Sequence, residues 1–234
     1  MFPKKLEGIV FDLDATLVNL GGFVNWREAH KKAFEAYIKC NCPEEMVQRF
    51  SKKGLFNMIN LVREENIRTL SPVQVEKIQK MAYDSIEECE AESIEKCELM
   101  PGCDPVLEWI KEKRILMGIA TSNSEEVAKK ILEVKGIEHY FETVVGRRPN
   151  MKMKPNPDPI MVCLEEMKVP LENSIMIGDS IKDVKAAKAA GIYVIAVPAF
   201  FTKNDALTEA GVDHIIQSLD ELPLIISGGG PSRE

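Results

Sequence analysis

The sequence predicts an α/β fold: a parallel sheet with helices on both faces, interrupted after its first strand by an inserted helical domain. Three observations predict it. Short β-branched apolar runs recur along the chain, and segments with helical spacing and capping signals lie between them. The alternation fails once, over residues 20–95, where only helical spacing is found. Chemically capable polar residues gather where the apolar runs stop.

The first run, 8–11, ends at once in Asp12, Leu13 and Asp14, the pattern of a short strand buried on both faces. Similar runs follow at 115–121, 143–146, 174–178 and 193–197, with a weaker one at 213–216. Between them lie helical patterns with physical start and stop signals. Asp104 before Pro105 opens 105–113, Ser124 precedes 125–135, and Asp158 precedes 159–167. Ser180 precedes 182–190, which stops at Gly191, the residue that most readily takes a left-handed helix end. In the insert, Trp26, Ala29, Ala33, Phe34 and Tyr37 recur at helical spacing, and Trp26 reads as part of the insert's core. Ser71-Pro72 opens a second such pattern through Val75, Ile78, Ala82 and Cys89. The expected organisation is a core of 1–18 and 98–227, an insert of 19–97, and a Gly-rich tail of 228–234 that frays.

Composition narrows the function. With 234 residues, 45% of them hydrophobic, the chain can bury one substantial core with a smaller attached one. A net charge of -7 argues against nucleic acid and anionic membranes as partners. No apolar run is long enough to span a bilayer and no secretory pattern is visible, so a cytoplasmic protein is expected. The six cysteines lack zinc spacing and read as free thiols in a reducing compartment. A monomer and a homodimer are both compatible with the sequence.

In open parallel sheets, ligands bind outside the carboxyl ends of the strands. The first strand delivers Asp12, Asp14 and Thr16 there; the second, Thr121, Ser122 and Asn123; the third is followed by Lys152 and Lys154; the fourth delivers Asp179 and Asp183. Converging carboxylates repel unless a cation joins them, and an all-oxygen donor set suits magnesium. The remaining positions on magnesium would hold water and a substrate phosphate. One carboxylate of the first strand can then attack phosphorus while the other moves protons. Thr121, the amides after it and Lys154 can hold phosphoryl oxygens. Lys152 reads as a surface charge, and Arg147 and Arg148 as solvated. Asn123 has two readings, a substrate contact or a cap of the next helix. Lys52 and Lys53, in a turn made by Gly54 between two helical patterns, are either a solvated loop or a loop that meets an anionic substrate.

These motifs carry a family resemblance. Asp12-Leu13-Asp14-Ala15-Thr16 resembles the first motif of the haloacid dehalogenase superfamily, Asp-x-Asp-Gly-Thr. Ile119 to Asn123 resembles the second, Lys154-Pro155-Asn156-Pro157 the third, and Gly178-Asp179 through Asp183 with Ala189-Ala190-Gly191 the fourth. The resemblance covers the core to about residue 225, and the insert matches the place of the family's helical cap.

It implies a Rossmann-like core and a magnesium-dependent phosphatase for a small phosphorylated metabolite, similar to phosphoglycolate phosphatases. Asp12 would be the nucleophile, Asp14 the acid and base, and Thr121 and Lys154 the stabilisers. Asp12, the Asp14 carbonyl and Asp179 would hold the metal. Asp183 would position its waters or hold Lys154. Thr16, Ser122, Asn123, Lys52 and Lys53 are the candidate substrate contacts. One departure stands out: Ala15 replaces glycine, which costs roughly 1 kcal/mol if the position needs a positive φ. Three rivals share parts of the pattern. A phosphomutase of this family places a histidine where Trp26 stands, a dehalogenase lacks Asp14 and needs no metal, and a non-catalytic binding module would not need every catalytic group.

Overall fold

The computed structural model describes residues 1–199 and 203–228. Its sheet contains β1 (Gly8–Phe11), β2 (Leu116–Ser124), β3 (Thr143–Arg147), β4 (Ser174–Gly178), β5 (Tyr193–Ala196) and β6 (His214–Ile215). All are parallel, in the order β3-β2-β1-β4-β5-β6. The strand order reverses at β1, which pairs Phe11 with Ile119 of β2 on one side and Ile177 of β4 on the other. That reversal leaves a crevice beyond the carboxyl end of β1.

Alternation along the strands sends side chains to two separate cores. Ile9, Phe11, Ile175, Ile177 and Ile195 enter one, and Val10, Met176, Val194 and Ala196 enter the other. α5 (Cys103–Glu112) and α6 (Glu125–Lys135) supply Leu107 and Ile131 to the first core. α7 (Asp158–Met167), α8 (Ile181–Ala190) and α9 (Asn204–Glu209) supply Ile160, Val184 and Leu207 to the second. α10 (Leu222–Ser227) packs on α5. Burial on both faces explains why β1, β4 and β5 read as continuous apolar runs.

The insert is entirely helical, with α1 (Trp26–Lys39), α2 (Glu44–Ser51), α3 (Leu55–Ile67) and α4 (Pro72–Ala91). α1 and α4 form its main contact. Ser71 and Gln74 form a reciprocal capping box at the start of α4, with Pro72 in the first turn. The segments that lead into and out of the insert run side by side. Met100 N donates to Leu17 O at 2.8 Å, Asn19 N to Glu98 O at 3.1 Å, and Glu98 N to Asn19 Oδ1 at 2.7 Å.

Most capping expectations match. Ser124 caps α6, and Ser180 caps α8, which ends at Gly191 in a left-handed conformation. Three helices start early, α5 by two residues and α7 and α8, the latter from Ile181, by one each. α5 begins at Cys103 after a left-handed Gly102, so Asp104 lies in its first turn, and α7 begins at Asp158 itself. The six cysteines are free thiols. Among the described residues, no helix is long and apolar enough to cross a membrane. The tail expected to fray lies outside the described residues from 229 on.

Ala15 has φ 63°, the left-handed region that disfavours a Cβ. Its amide donates to Val18 O at 2.6 Å, so the turn is fixed and the strain stays. Ala15→Gly is therefore expected to stabilise the fold by about 1 kcal/mol, a Tm rise of about 2–4 °C by calorimetry. A lowered Tm would show that the turn is not strained.

Candidate active site

β1 ends at Phe11, one residue before Asp12. The Asp12 amide still donates to Ile177 O of β4 at 2.8 Å, after which the chain turns through 13–18. Asp12 and Asp14, two residues apart and therefore on one side of the chain as it leaves the strand, both enter one cavity of about 920 Å³. Thr121, Ser122 and Asn123 also line it, from the end of β2. Lys154 reaches it from the loop before α7, and Asp179 and Asp183 from the end of β4 and the first turn of α8.

Lys154 is at the centre of the charged groups. Its Nζ donates to Asp12 Oδ1 at 2.6 Å and to Asp183 Oδ1 at 2.5 Å, with the side chain only 3% exposed. Burial disfavours the ammonium, but Asp12 and Asp183 outweigh it and raise the lysine's pKa, so Lys154 stays charged. Asp183 Oδ2 also accepts from Ser180 N and Oγ, at 3.0 and 2.5 Å, which fixes its carboxylate against the helix cap. Asp12 Oδ2 has no hydrogen bond among the described residues.

Asp14 is held differently. The Gly21 amide donates to its Oδ1 at 2.7 Å. A Cβ on Gly21 would lie 2.5 Å from Asp14 Oδ2, so only glycine allows this approach. Burial raises the Asp14 pKa to about 6, with the Gly21 amide opposing the rise. Burial likewise raises Asp12, against the pull of Lys154, and raises Asp179 with help from Asp183 and Asp12.

Oxygen atoms of Asp12, Asp179 and Asp183 lie within 4.8 Å of one another. The Asp179 carboxylate has no hydrogen bond or ion pair among the described residues. A carboxylate so placed, its pKa raised by its neighbours, is an unmet demand for positive charge. The donors are all oxygen, so the residues present fit a hard divalent cation of the magnesium type.

Sequence reasoning missed the support behind the second strand. Thr121 Oγ1 donates to Asn123 Oδ1 at 2.9 Å, and Asn123 Nδ2 donates to Glu90 Oε1 of α4 at 3.0 Å. Glu90 also accepts from Ser124 N at 3.1 Å and from both terminal nitrogens of Arg147, each at 2.7 Å. Arg147 Nη1 donates to Ser122 O at 2.8 Å as well. Both charged side chains are shut off from water. The expectation of a solvated Arg147 is thus corrected, because a buried carboxylate on the insert draws it inward; Arg148 stays partly exposed, paired with Glu125 and Glu166. Ser124, not Asn123, caps α6. One signal could have exposed the pair: Glu90 continues the buried face of α4 through Gln79, Tyr83 and Ile86. A carboxylate there requires a cation. Arg147→Met should lower stability by about 3–5 kcal/mol in urea unfolding, since it strands Glu90, and a loss under about 1 kcal/mol would contradict this account.

Three other candidates fall outside the cavity lining. Thr16 is buried, and its hydroxyl has no hydrogen-bond partner among the described residues. Lys52 and Lys53 are exposed at the end of α2, because Gly54, with φ 89°, turns the chain so that Phe56 rather than a lysine enters the cavity. Trp26 packs against the core as expected, yet also lines the cavity, as do Phe23 and Lys182.

A doubly wound parallel sheet with a carboxylate cluster and a buried lysine at its switch point has the architecture of an α/β enzyme. The family model described as haloacid dehalogenase-like hydrolase matches residues 9–197, and the chain belongs to that family. It is a hydrolase. Among curated relatives, a protein named "Putative pyrophosphatase PpaX" from Caldanaerobacter subterraneus subsp. tengcongensis is 30% identical over 96% of each chain. A phosphoglycolate phosphatase of Thiobacillus denitrificans is 25% identical over 97% of this chain and 98% of its own. Among solved structures, a "predicted phosphatase" from Clostridium acetobutylicum superposes with a TM-score of 0.67 at 22% identity, covering 96% of this chain and all of that one, a likeness of fold.

Proposed function

We propose that this hydrolase is a magnesium-dependent phosphomonoester phosphatase that works through an aspartyl phosphate on Asp12. The observation that carries the reading is the bridge from Lys154 to Asp12 and Asp183, beside an unpartnered Asp179, at the sheet's switch point. The names of the relatives, phosphatases and pyrophosphatases, support it.

Lys154 fixes Asp12 through Oδ1, which leaves Oδ2 as the attacking atom. As the Oδ2–phosphorus bond forms, the bond from phosphorus to the ester oxygen breaks. That oxygen takes its proton from Asp14, whose pKa burial raises to about 6, so that a fraction of the carboxyl carries a proton near neutral pH. Asp14 then accepts a proton from water as the water attacks phosphorus, and the Asp12–phosphorus bond breaks to release phosphate. Thr121 and the amides after it, with Lys154, hold the phosphoryl oxygens. Asp12, the Asp14 carbonyl and Asp179 would hold magnesium, and Asp183 would hold Lys154 and the metal's water. The ion would supply charge neutralisation for the transferring phosphoryl group.

In this reading 1–18 and 98–227 form the catalytic core, and 19–97 acts as a cap. Gly21 then has a second role, because the hinge amide that binds Asp14 makes the proton donor depend on the cap's seating. The free thiols fit a reducing cytoplasm. The test is phosphate release from a panel of phosphomonoesters with magnesium and after chelation. Magnesium-dependent release is the expected result. Full release after exhaustive chelation would overturn the metal reading, and none under any condition would overturn the phosphatase.

A further inference from the structure

The cavity extends well beyond what a phosphoryl group needs. Its volume of about 920 Å³ lies at the upper end for sites that enclose a whole small molecule. The part beyond the carboxylates is walled by Phe23, Trp26 and Phe56 from the insert. Trp26 and Phe56 meet edge to face, with ring centroids 5.7 Å apart. The indole Nε1 donates to Gly21 O at 2.9 Å, so the only polar group of Trp26 is spent and the ring offers an apolar surface. Phe23, 42% exposed, adds a third ring to the lining.

Few side chains here could read hydroxyl groups. Asn123 and Ser180 are tied into internal hydrogen bonds, Thr121 is assigned to the phosphoryl group, and Asn19 Oδ1 accepts from Glu98 N, which leaves the Ser122 hydroxyl and the Asn19 amide nitrogen without a partner among the described residues. A leaving group with more hydroxyls than these two side chains can pair would bury the rest without partners, which is costly. A leaving group of a few atoms, or a second phosphate alone, would leave the aromatic wall facing water.

Two lysines of the cavity lining, Lys182 and Lys203, make no ion pair or hydrogen bond among the described residues, and of the two Lys182 is the one held against an aromatic ring. Lys182 of α8 lines the cavity with its Nζ 4.6 Å from the centre of the Phe56 ring. Its three N–H donors are available to an anionic group held beside the ring.

We propose that the ester cleaved here has a flat aromatic leaving group bearing an anionic substituent, with the ring against Trp26 and Phe56 and the substituent on Lys182. The inference rests on the phosphatase reading and deepens it. It also assigns specificity to Phe56 and Lys182 in place of Lys52 and Lys53.

The test compares esters of alcohols of similar acidity, so that leaving-group chemistry does not decide the outcome: 4-carboxybenzyl phosphate, benzyl phosphate, glycerol 3-phosphate and 2-phosphoglycolate, with pyrophosphate as a further probe. In the wild-type protein with magnesium, kcat/KM for 4-carboxybenzyl phosphate should exceed that for glycerol 3-phosphate by about tenfold or more. It should exceed that for benzyl phosphate by about fivefold. Phe56→Ala should collapse the first ratio toward one, and Lys182→Met the second. A wild-type preference for glycerol 3-phosphate, 2-phosphoglycolate or pyrophosphate, or ratios that both variants leave intact, would overturn the inference while the phosphatase stands. Phosphate release from none of the five would overturn both.

Discussion

Asp12→Asn protein is expected to fold and to lose turnover by roughly 10⁴-fold or more, because the group that would form the covalent bond is gone. The change is nearly isosteric. The new amide would still offer an oxygen to Lys154, and Lys154 would keep Asp183. The Tm should therefore shift by only a few degrees, about 1 kcal/mol in stability. Asp12 is buried among Asp14, Asp179 and Asp183, so removing its charge also relieves repulsion that offsets part of the lost ion pair. The measurement is steady-state phosphate release beside a thermal melt. Near-normal turnover by a pure, folded variant would end the nucleophile assignment. A variant that fails to fold would show instead that Asp12 is mainly structural. Mass spectrometry of Asp14→Asn mixed with substrate adds a direct view: one phosphoryl group is expected on the peptide that carries Asp12.

The second large effect concerns Asp179. Asp179→Ala should lower kcat/KM by roughly a hundredfold or more at fixed magnesium, since the metal's contribution to charge stabilisation is several kcal/mol. The same variant should change how stability depends on pH. Asp12, Asp14 and Asp179 all have folded pKa values raised above the ordinary 3.8, Asp14 to about 6. Without metal, the folded state then holds more protons than the unfolded state once the pH passes about 4. Stability is fully present below that value and falls as the pH climbs through the raised pKa values. Metal-free protein should melt lower at about pH 8 than at about pH 5, and magnesium should restore more of the loss at the higher pH. Asp179→Ala should shrink both the decline and the magnesium increment. A melting temperature that rises with pH in the metal-free protein would contradict the proposed charge cluster.

Much of this site was legible before the fold was seen, because its chemistry stands at strand ends. An apolar run that stops in Asp12 and Asp14, and another that stops in Asp179, declare both where the sheet ends and which groups gather there. Lys154 was legible through the prolines that follow it. The failures share one cause. Arg147 takes its role from Glu90, Phe56 from Trp26, and Lys182 from Phe56, and each pair is far apart along the chain. No local periodicity encodes such meetings. Lys52 and Lys53 looked suited to an anionic ligand by type, but the turn at Gly54 decides which side chain of that segment enters the cavity.

By itself, the sequence determined the alternation of strands and helices, the helical insert, the caps at Ser71, Ser124 and Ser180, and which acids stand at the sheet's carboxyl edge. These follow from periodicity and short-range hydrogen bonding, which act within a few residues. Only the tertiary structure decided that Ala15 takes a positive φ, that Gly21 touches Asp14, that Glu90 and Arg147 brace the Thr121–Asn123 turn, and that aromatic rings line the same cavity as the carboxylates. Those depend on where two distant segments come to rest. That is settled by the packing of whole elements and by the need of each buried charge for a partner.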